Sequence, residues 1–207
     1  MASSTATTLA FSRHAREEER LTAMSAVVIL TANWVVLIRL AILTGIMAPG
    51  LLPDMVLILA GGLVCGGIVL AFNWRGLEAR TNAPVLELGN PTEIRMALSF
   101  GALYAAVLFA VAWLTDWAGH VGTYGVAIVS GLTDIDAITL STLRLLGLES
   151  LGRHQALTAI LLALLANIAF KSGMSLTLGG LPLARRVVPG MAVAAAGCVA
   201  GYFLLQV

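Results

Sequence analysis

Charge is what this sequence has least of. Only 11% of its 207 residues are Asp, Glu, Lys or Arg, against about 25% in a soluble domain. Too little polar surface remains to cover a water-soluble globule, which excludes a soluble enzyme and a disordered tail. Twelve Lys and Arg stand against eleven Asp and Glu, so the basic stripe that nucleic acid requires is missing as well. Cysteine is nearly absent. Cys65 and Cys198 sit in separate apolar runs and read as small hydrophobes, because a disulfide framework or a thiolate metal site needs more cysteines at closer spacing. The apolar runs do not alternate with period two, which excludes a β-barrel. No Gly-rich loop precedes a helix to cradle phosphate, and no Ser, His and Asp are arranged for hydrolysis. Neither enzymatic activity nor a resident cofactor is expected. His14, His120 and His154 lie near the ends of apolar runs without metal-ligand spacing and read as surface histidines.

What is there is hydrophobic: 59% of residues, with 21 glycines and a mean hydropathy of +0.94. About 20 apolar residues cross the hydrocarbon of a bilayer as a helix. Six runs qualify, at 21–46, 51–72, 94–114, 121–146, 156–178 and 187–205. The expected fold is an all-α, multi-pass membrane protein of six transmembrane helices, a single domain over 21–207 preceded by a polar cytoplasmic segment over 1–20. The first run is a full span with no cleavage-site pattern, so it reads as retained. Pro49, Pro53, Pro84, Pro91 and Pro182 fall between runs. Pro189 falls in the first turn of the last, where a missing N–H matters little.

Arginine placement sets the expected orientation. Arg13, Arg16 and Arg20 precede the first span, Arg75, Arg80 and Arg95 flank the second loop on that side, and Arg144 and Arg153 the fourth loop. Arg185 and Arg186 alone fall opposite. Both termini are therefore expected in the cytoplasm. The Arg185–Arg186 pair breaks the rule and leaves a re-entrant fifth or sixth span open. By chain the halves are 21–90 and 91–207. As repeat units, 21–114 and 121–205 suit two inverted three-helix repeats as well as six unrelated spans. Spans one and four each carry a polar interruption, Thr31-Ala32-Asn33 and Thr133-Asp134, and inverted repeats place ion sites between them at half depth.

Four charges lie inside spans: Arg39, Asp134, Asp136 and Lys171. A charge at mid-membrane is unfavourable by about 3 to over 10 kcal/mol, so such residues face a partner or water and are functional candidates. Asp134 and Asp136 are i and i+2. On a regular helix they point about 200° apart, whereas a broken helix could turn both to one side. Gly131 and the flanking hydroxyls favour a break in the fourth helix. Alternatively the helix restarts there, with Thr133 or Asp134 as its N-cap. Carboxylate, hydroxyl and carbonyl oxygens suit Mg²⁺, Ca²⁺, Mn²⁺ or Na⁺. Asp134 and Asp136 are the expected metal ligands, with Thr133, Thr139 and Asn167 assisting. The bland alternative makes one aspartate a helix cap and pairs the other with Lys171 or Arg39. Asn167, Lys171 and Ser175 share one face of span five. Lys171 is the expected charge switch, neutralising an aspartate when no cation is bound, so that truncating it would strand a buried carboxylate. Arg39 is a second counter-charge. Lys171 and Arg39 could instead snorkel to the interface. Gly62-x-x-x-Gly66 and Gly197-x-x-x-Gly201 read as helix-packing faces, within the chain or between copies in a homo-oligomer.

The run Ser130-Gly-Leu-Thr-Asp134-Ile-Asp136-Ala-Ile-Thr139-Leu-Ser141, with Ala166-Asn167-x-x-x-Lys171-x-Gly173 and the opening Ser12-Arg13 with its acidic run, resembles an uncharacterised bacterial membrane domain, domain-of-unknown-function family 4010. That domain often follows an MgtC/SapB domain. The resemblance implies the bacterial inner membrane, a link to magnesium and an MgtC/SapB-type partner; the sequence departs from that pattern in lacking the MgtC/SapB half, and reads as a stand-alone version or as a fragment of a longer protein. Three functions follow as expectations. The first is a transporter or channel for a small cation, divalent and Mg-like. The second is a non-transporting membrane regulator acting through helix contacts. The third is a lipid-handling protein in which Arg39 and Lys171 meet a phosphate head group.

Overall fold

The structure, a computed structural model, describes residues 4–78 and 122–206, and every element among them is helical. They are α1 (Ser4–Glu17), α2 (Thr22–Met47), α3 (Leu52–Glu78), α4 (Gly122–Thr133), α5 (Ile135–Gly147), α6 (Arg153–Thr177) and α7 (Gly180–Leu204). Among the described residues, four stretches are long and apolar enough to cross a membrane: Glu19–Met47, Pro49–Trp74, Arg153–Thr177 and Gly180–Leu204. They answer to the first, second, fifth and sixth expected spans. The expected third span, 94–114, lies outside the described residues, as do Arg80, Arg95, Pro84, Pro91 and His120. The expected fourth span is two helices separated by Asp134.

Local chemistry explains the joints. Ala48 precedes Pro49 and leaves the helical region (φ −145°, ψ 71°), as a residue crowded by a proline ring does; α2 ends there and a single 3₁₀ turn, Pro49–Leu51, starts α3. Between α6 and α7 the chain reverses through Gly180 at φ +78°, a conformation that needs no Cβ. A side chain there would also meet the Arg16 guanidinium of α1. Because α7 begins at Gly180, Pro189 lies well inside it and not in a first turn as expected. The hydropathy run starting at 187 marked where apolar residues thicken, whereas the backbone was already helical from the glycine turn.

α3 and α7 make the closest crossing. A Cβ on Gly197 would fall on the Gly61 backbone, one on Gly62 on the Cys198 thiol, and one on Gly201 on the Leu57 and Ile58 backbone, while one on Gly66 would meet Ala194 at 3.2 Å. Both Gly-x-x-x-Gly runs are thus consumed inside the chain, where small residues let backbones touch. Around them Ile29, Leu37, Leu40, Ile58, Leu59, Ile160, Leu164 and Met191 form one apolar core. The outer face of α3 leaves Val64, Ile68 and Phe72 exposed.

Contacts at the helix ends set the relative directions of α2, α3, α6 and α7. Arg153, at the start of α6, pairs with Asp54 at the start of α3 (2.6 Å). Tyr202, near the end of α7, lies 3.1 Å from His154. Arg16, close before α2, sits on the α6–α7 turn. One end of the bundle therefore holds the start of α2 and the Arg185–Arg186 pair. The other holds Arg153 and the end of α7. Six full crossings would put Arg153 beside the start of α2 and both termini on one side; instead α2 starts and α7 finishes at opposite ends. In reconstituted vesicles, cysteines introduced at Glu149 and Gln206 should be labelled from the same side, and one at Arg185 from the other. Labelling of Glu149 and Arg185 from one side would overturn this arrangement.

The amino-terminal residues, expected as a separate polar segment, pack on the helical bundle. α1 folds back along α2 and also touches α6, burying Thr8, Ser12, Arg13 and Ala15. At the α1–α2 tip Arg20 donates to Glu18 (2.6 Å), and this bond holds the exposed Glu18 carboxyl below its ordinary range.

Candidate functional site: a charged interior beside a broken helix

A single residue interrupts α4 and α5. Asp134 is extended (φ −146°, ψ 101°), and its carboxylate accepts from the backbone N–H groups of Asp136 (2.9 Å) and Ala137 (3.2 Å). Two of the N–H groups left open at the start of α5 are thereby satisfied, and a negative charge meets the positive end of the helix. The irregular fourth helix is present where the cluster of Gly, Thr and Asp placed it. Its cause is the N-cap, and not Gly131. Gly131 stays helical and serves a close approach: a Cβ there would collide with the Ala163 backbone of α6.

The cap separates the two aspartates. Asp134 is exposed and turned to its own backbone. Asp136 instead accepts from the Arg39 guanidinium of α2 at 2.5 Å, the two side chains being 31% and 26% exposed. No group of three His, Cys, Asp or Glu able to hold a metal occurs among the described residues. The two carboxylates expected as joint metal ligands therefore do different work in this structure: one caps, the other pairs. Because the cap needs only an acceptor oxygen, Asp134→Asn should leave stability nearly unchanged, while Asp134→Ala should lower it by about 1 kcal/mol. Equal losses in thermal unfolding of the two variants would show that charge, and not capping, is what Asp134 supplies.

Lys171 is 0% exposed, so it does not snorkel. Its ammonium donates to the Ser4 hydroxyl of α1 (2.9 Å) and to Asn33 Oδ1 of α2 (3.4 Å). The charges of Asp136 and Arg39 both act on it, but Arg39 holds the carboxylate. One turn away on α6, Asn167 donates its amide N–H to the Gly131 carbonyl (2.8 Å), tying α6 to α4 just before the break. Of the expected cation ligands, Thr139 is fully buried on α5 and Thr133 closes α4.

Three buried acceptor oxygens in this region have no hydrogen-bond partner: Asp136 Oδ1, Thr139 Oγ1 and Asn167 Oδ1. Asp136 and Thr139 stand one turn apart on α5, and α5 packs on α6, which carries Asn167. A buried acceptor left open is unfavourable by roughly 1–3 kcal/mol, so each of the three is a candidate to bond a ligand. Beside α4 and α5 a groove of about 470 Å³ opens past Ser130, Ala137, Ser141, Thr142 and Leu145. The sequence pointed to Asn33 and missed Ser4. A serine in a polar amino-terminal stretch carries no periodic signal, and only the fold-back of α1 brings it to Lys171.

Fold and site define a class: a protein whose described residues are all-helical and include four helices of membrane-spanning length, compatible with a multi-pass membrane protein, carrying charged side chains inside the bundle next to a broken helix. The chain belongs to the family described as "Domain of unknown function (DUF4010)", which matches residues 1–179. An "Uncharacterized protein" of Aquifex aeolicus (strain VF5) is 30% identical over 178 residues, 86% of this chain and 77% of its own length. No solved structure matches the chain. The family match ends before α7, although α7 crosses α3 in close backbone contact.

Proposed function

We propose that this protein carries a small cation across a membrane, binding it at Asp136, Thr139 and Asn167 while Lys171 serves as counter-charge. The observation that carries the reading is the set of three buried, partnerless acceptor oxygens on α5 and α6 beside a helix broken at Asp134. Irregular backbone at membrane depth is stable only where it is enclosed by protein or lines a cavity, and discontinuous helices with freed polar groups are the usual setting for ion sites in transporters. The charge balance favours a singly charged ion over the divalent, Mg-like one expected from two carboxylates. One carboxylate, shared with Arg39, stands near two cationic side chains, whereas Ca²⁺ and Mg²⁺ sites gather several anionic oxygens.

A regulator docking through its Gly-x-x-x-Gly faces has less support, because those faces meet within the chain. Under the positive-inside rule the end bearing Arg16, Arg20, Arg185 and Arg186 faces the cytoplasm, and α7 finishes on the other side.

The test is a thermal-shift titration of the purified full chain with LiCl, NaCl, KCl and MgCl₂, followed by flux into vesicles. Wild type should be stabilised by one of the monovalent cations. Asp136→Asn should remove that response, and Thr139→Val and Asn167→Leu should each weaken it about tenfold, the worth of one lost ligand bond. An unaltered response in all three variants would rule out the site.

A further inference from the structure

A second set of buried polar groups lies apart from the cation ligands, along the seam between α1 and α2. Ser12 Oγ on α1, and Thr22 Oγ1 and Ser25 Oγ in the first turn of α2, are buried without a partner, and next to Ser12 on α1 stand the buried Arg13 and the half-buried His14. Ser12 and Ser25 are 0% exposed. Farther along the same seam Thr8 donates to the Ser4 carbonyl (2.9 Å), and the Ser4 hydroxyl accepts from Lys171. The seam thus carries hydroxyls from the α1–α2 tip to the one buried lysine.

Hydroxyl groups sealed in an apolar bundle and left without partners call for internal water, which typically makes about three bonds to such groups. A file of water and hydroxyls is also a path that a proton can follow. We infer that the α1–α2 seam is a proton path ending at Lys171, so that the transported cation is exchanged for a proton; this rests on the cation-site reading.

The charge balance supplies the stoichiometry. Arg39 and Asp136 together are neutral, and Lys171 adds one positive charge. Asp136 on α5 and Arg39 on α2 act on Lys171; α1 offers it the Ser4 hydroxyl and carries the buried Arg13, with His14 and Arg16, toward its other end. When a monovalent cation enters at Asp136 Oδ1, the Lys171 ammonium gives its proton to water in the seam, and the amine retakes one when the cation leaves. One positive charge enters as one departs, so the exchange is electrically silent. α1 is therefore a working wall of the path.

The experiment uses the full chain in liposomes holding a pH-sensitive dye, with imposed Na⁺, K⁺ or Li⁺ gradients and cation uptake measured in parallel. Wild type should move protons against the cation, at a rate indifferent to an imposed membrane potential. Ser12→Val/Ser25→Val, which dries the seam, should slow proton movement about tenfold, as the loss of a hydrogen bond from the path would, and leave the cation-induced thermal shift intact. Ser12→Thr/Ser25→Thr keeps both hydroxyls and should restore the flux, which separates drying from misfolding. Cation uptake without proton movement, or full proton flux in the valine pair, overturns the seam while leaving the cation site standing. No uptake of any cation by wild type overturns both.

Discussion

Lys171→Met should unfold at a higher temperature than wild type and carry no exchange. The ammonium is wholly buried and its acceptors are neutral, the Ser4 hydroxyl and the Asn33 amide. Taking a charge out of water without a close opposite charge is unfavourable by several kcal/mol. An unbranched apolar side chain of similar length removes that burden and keeps the volume. A gain of about 2 kcal/mol is expected, in line with replacements of buried charged groups by apolar ones. The sequence offered Lys171 or Arg39 as the partner of a span-four aspartate, with loss of Lys171 expected to strand a carboxylate. Arg39 fills that role. Asp136→Asn is the contrasting variant: it leaves Arg39 without its partner and should lose about 1–3 kcal/mol. Thermal unfolding of both proteins in one detergent decides the matter. A destabilised Lys171→Met would mean that an opposite charge holds the ammonium and that its burial carries no net penalty.

Gly197→Leu should prevent assembly of the bundle. The Cβ alone would land on the Gly61 backbone, and backbone cannot rotate aside as the end of a long side chain can. α3 and α7 would have to part along their crossing, giving up the neighbouring contacts of Gly62 with Cys198 and Gly201 with Ile58. Overpacking a well-filled core is unfavourable by typically 1–3 kcal/mol, and a clash with main chain belongs at or above the top of that range. The check is recovery of folded protein by size-exclusion chromatography. Gly173→Leu is the control, because a Cβ at Gly173 meets nothing within 4 Å, and it should behave as wild type. Equal recovery of the two would show that the crossing tolerates separation.

The sequence by itself determined the helical class and the positions of most helices. Length and apolarity suffice for that, since a chain with so few charges leaves its backbone groups to bond within helices. It also determined which polar side chains turn inward. Asn167, Lys171 and Ser175 recur at helical spacing on an otherwise apolar helix and were legible as one buried face, and all three are buried. The break in the fourth span was legible too, because a short acid-and-hydroxyl cluster inside an apolar run has few other uses.

Only the tertiary structure decided how those pieces face one another. Helix direction depends on which ends meet, and the pairing of Arg153 with Asp54 joins residues 99 apart in the chain; nothing in a hydropathy run encodes that. The partner of each charge was undecided for the same reason. Arg39 and Lys171 were equal candidates for Asp136 until packing put α2 against α5 and folded α1 over Lys171. The role of Asp134 turned on two backbone angles, which convert a potential ligand into a cap. Sequence records which groups must be satisfied, and the fold chooses the partner, because hydrogen bonds and ion pairs are decided over a few ångströms that one-dimensional spacing does not measure.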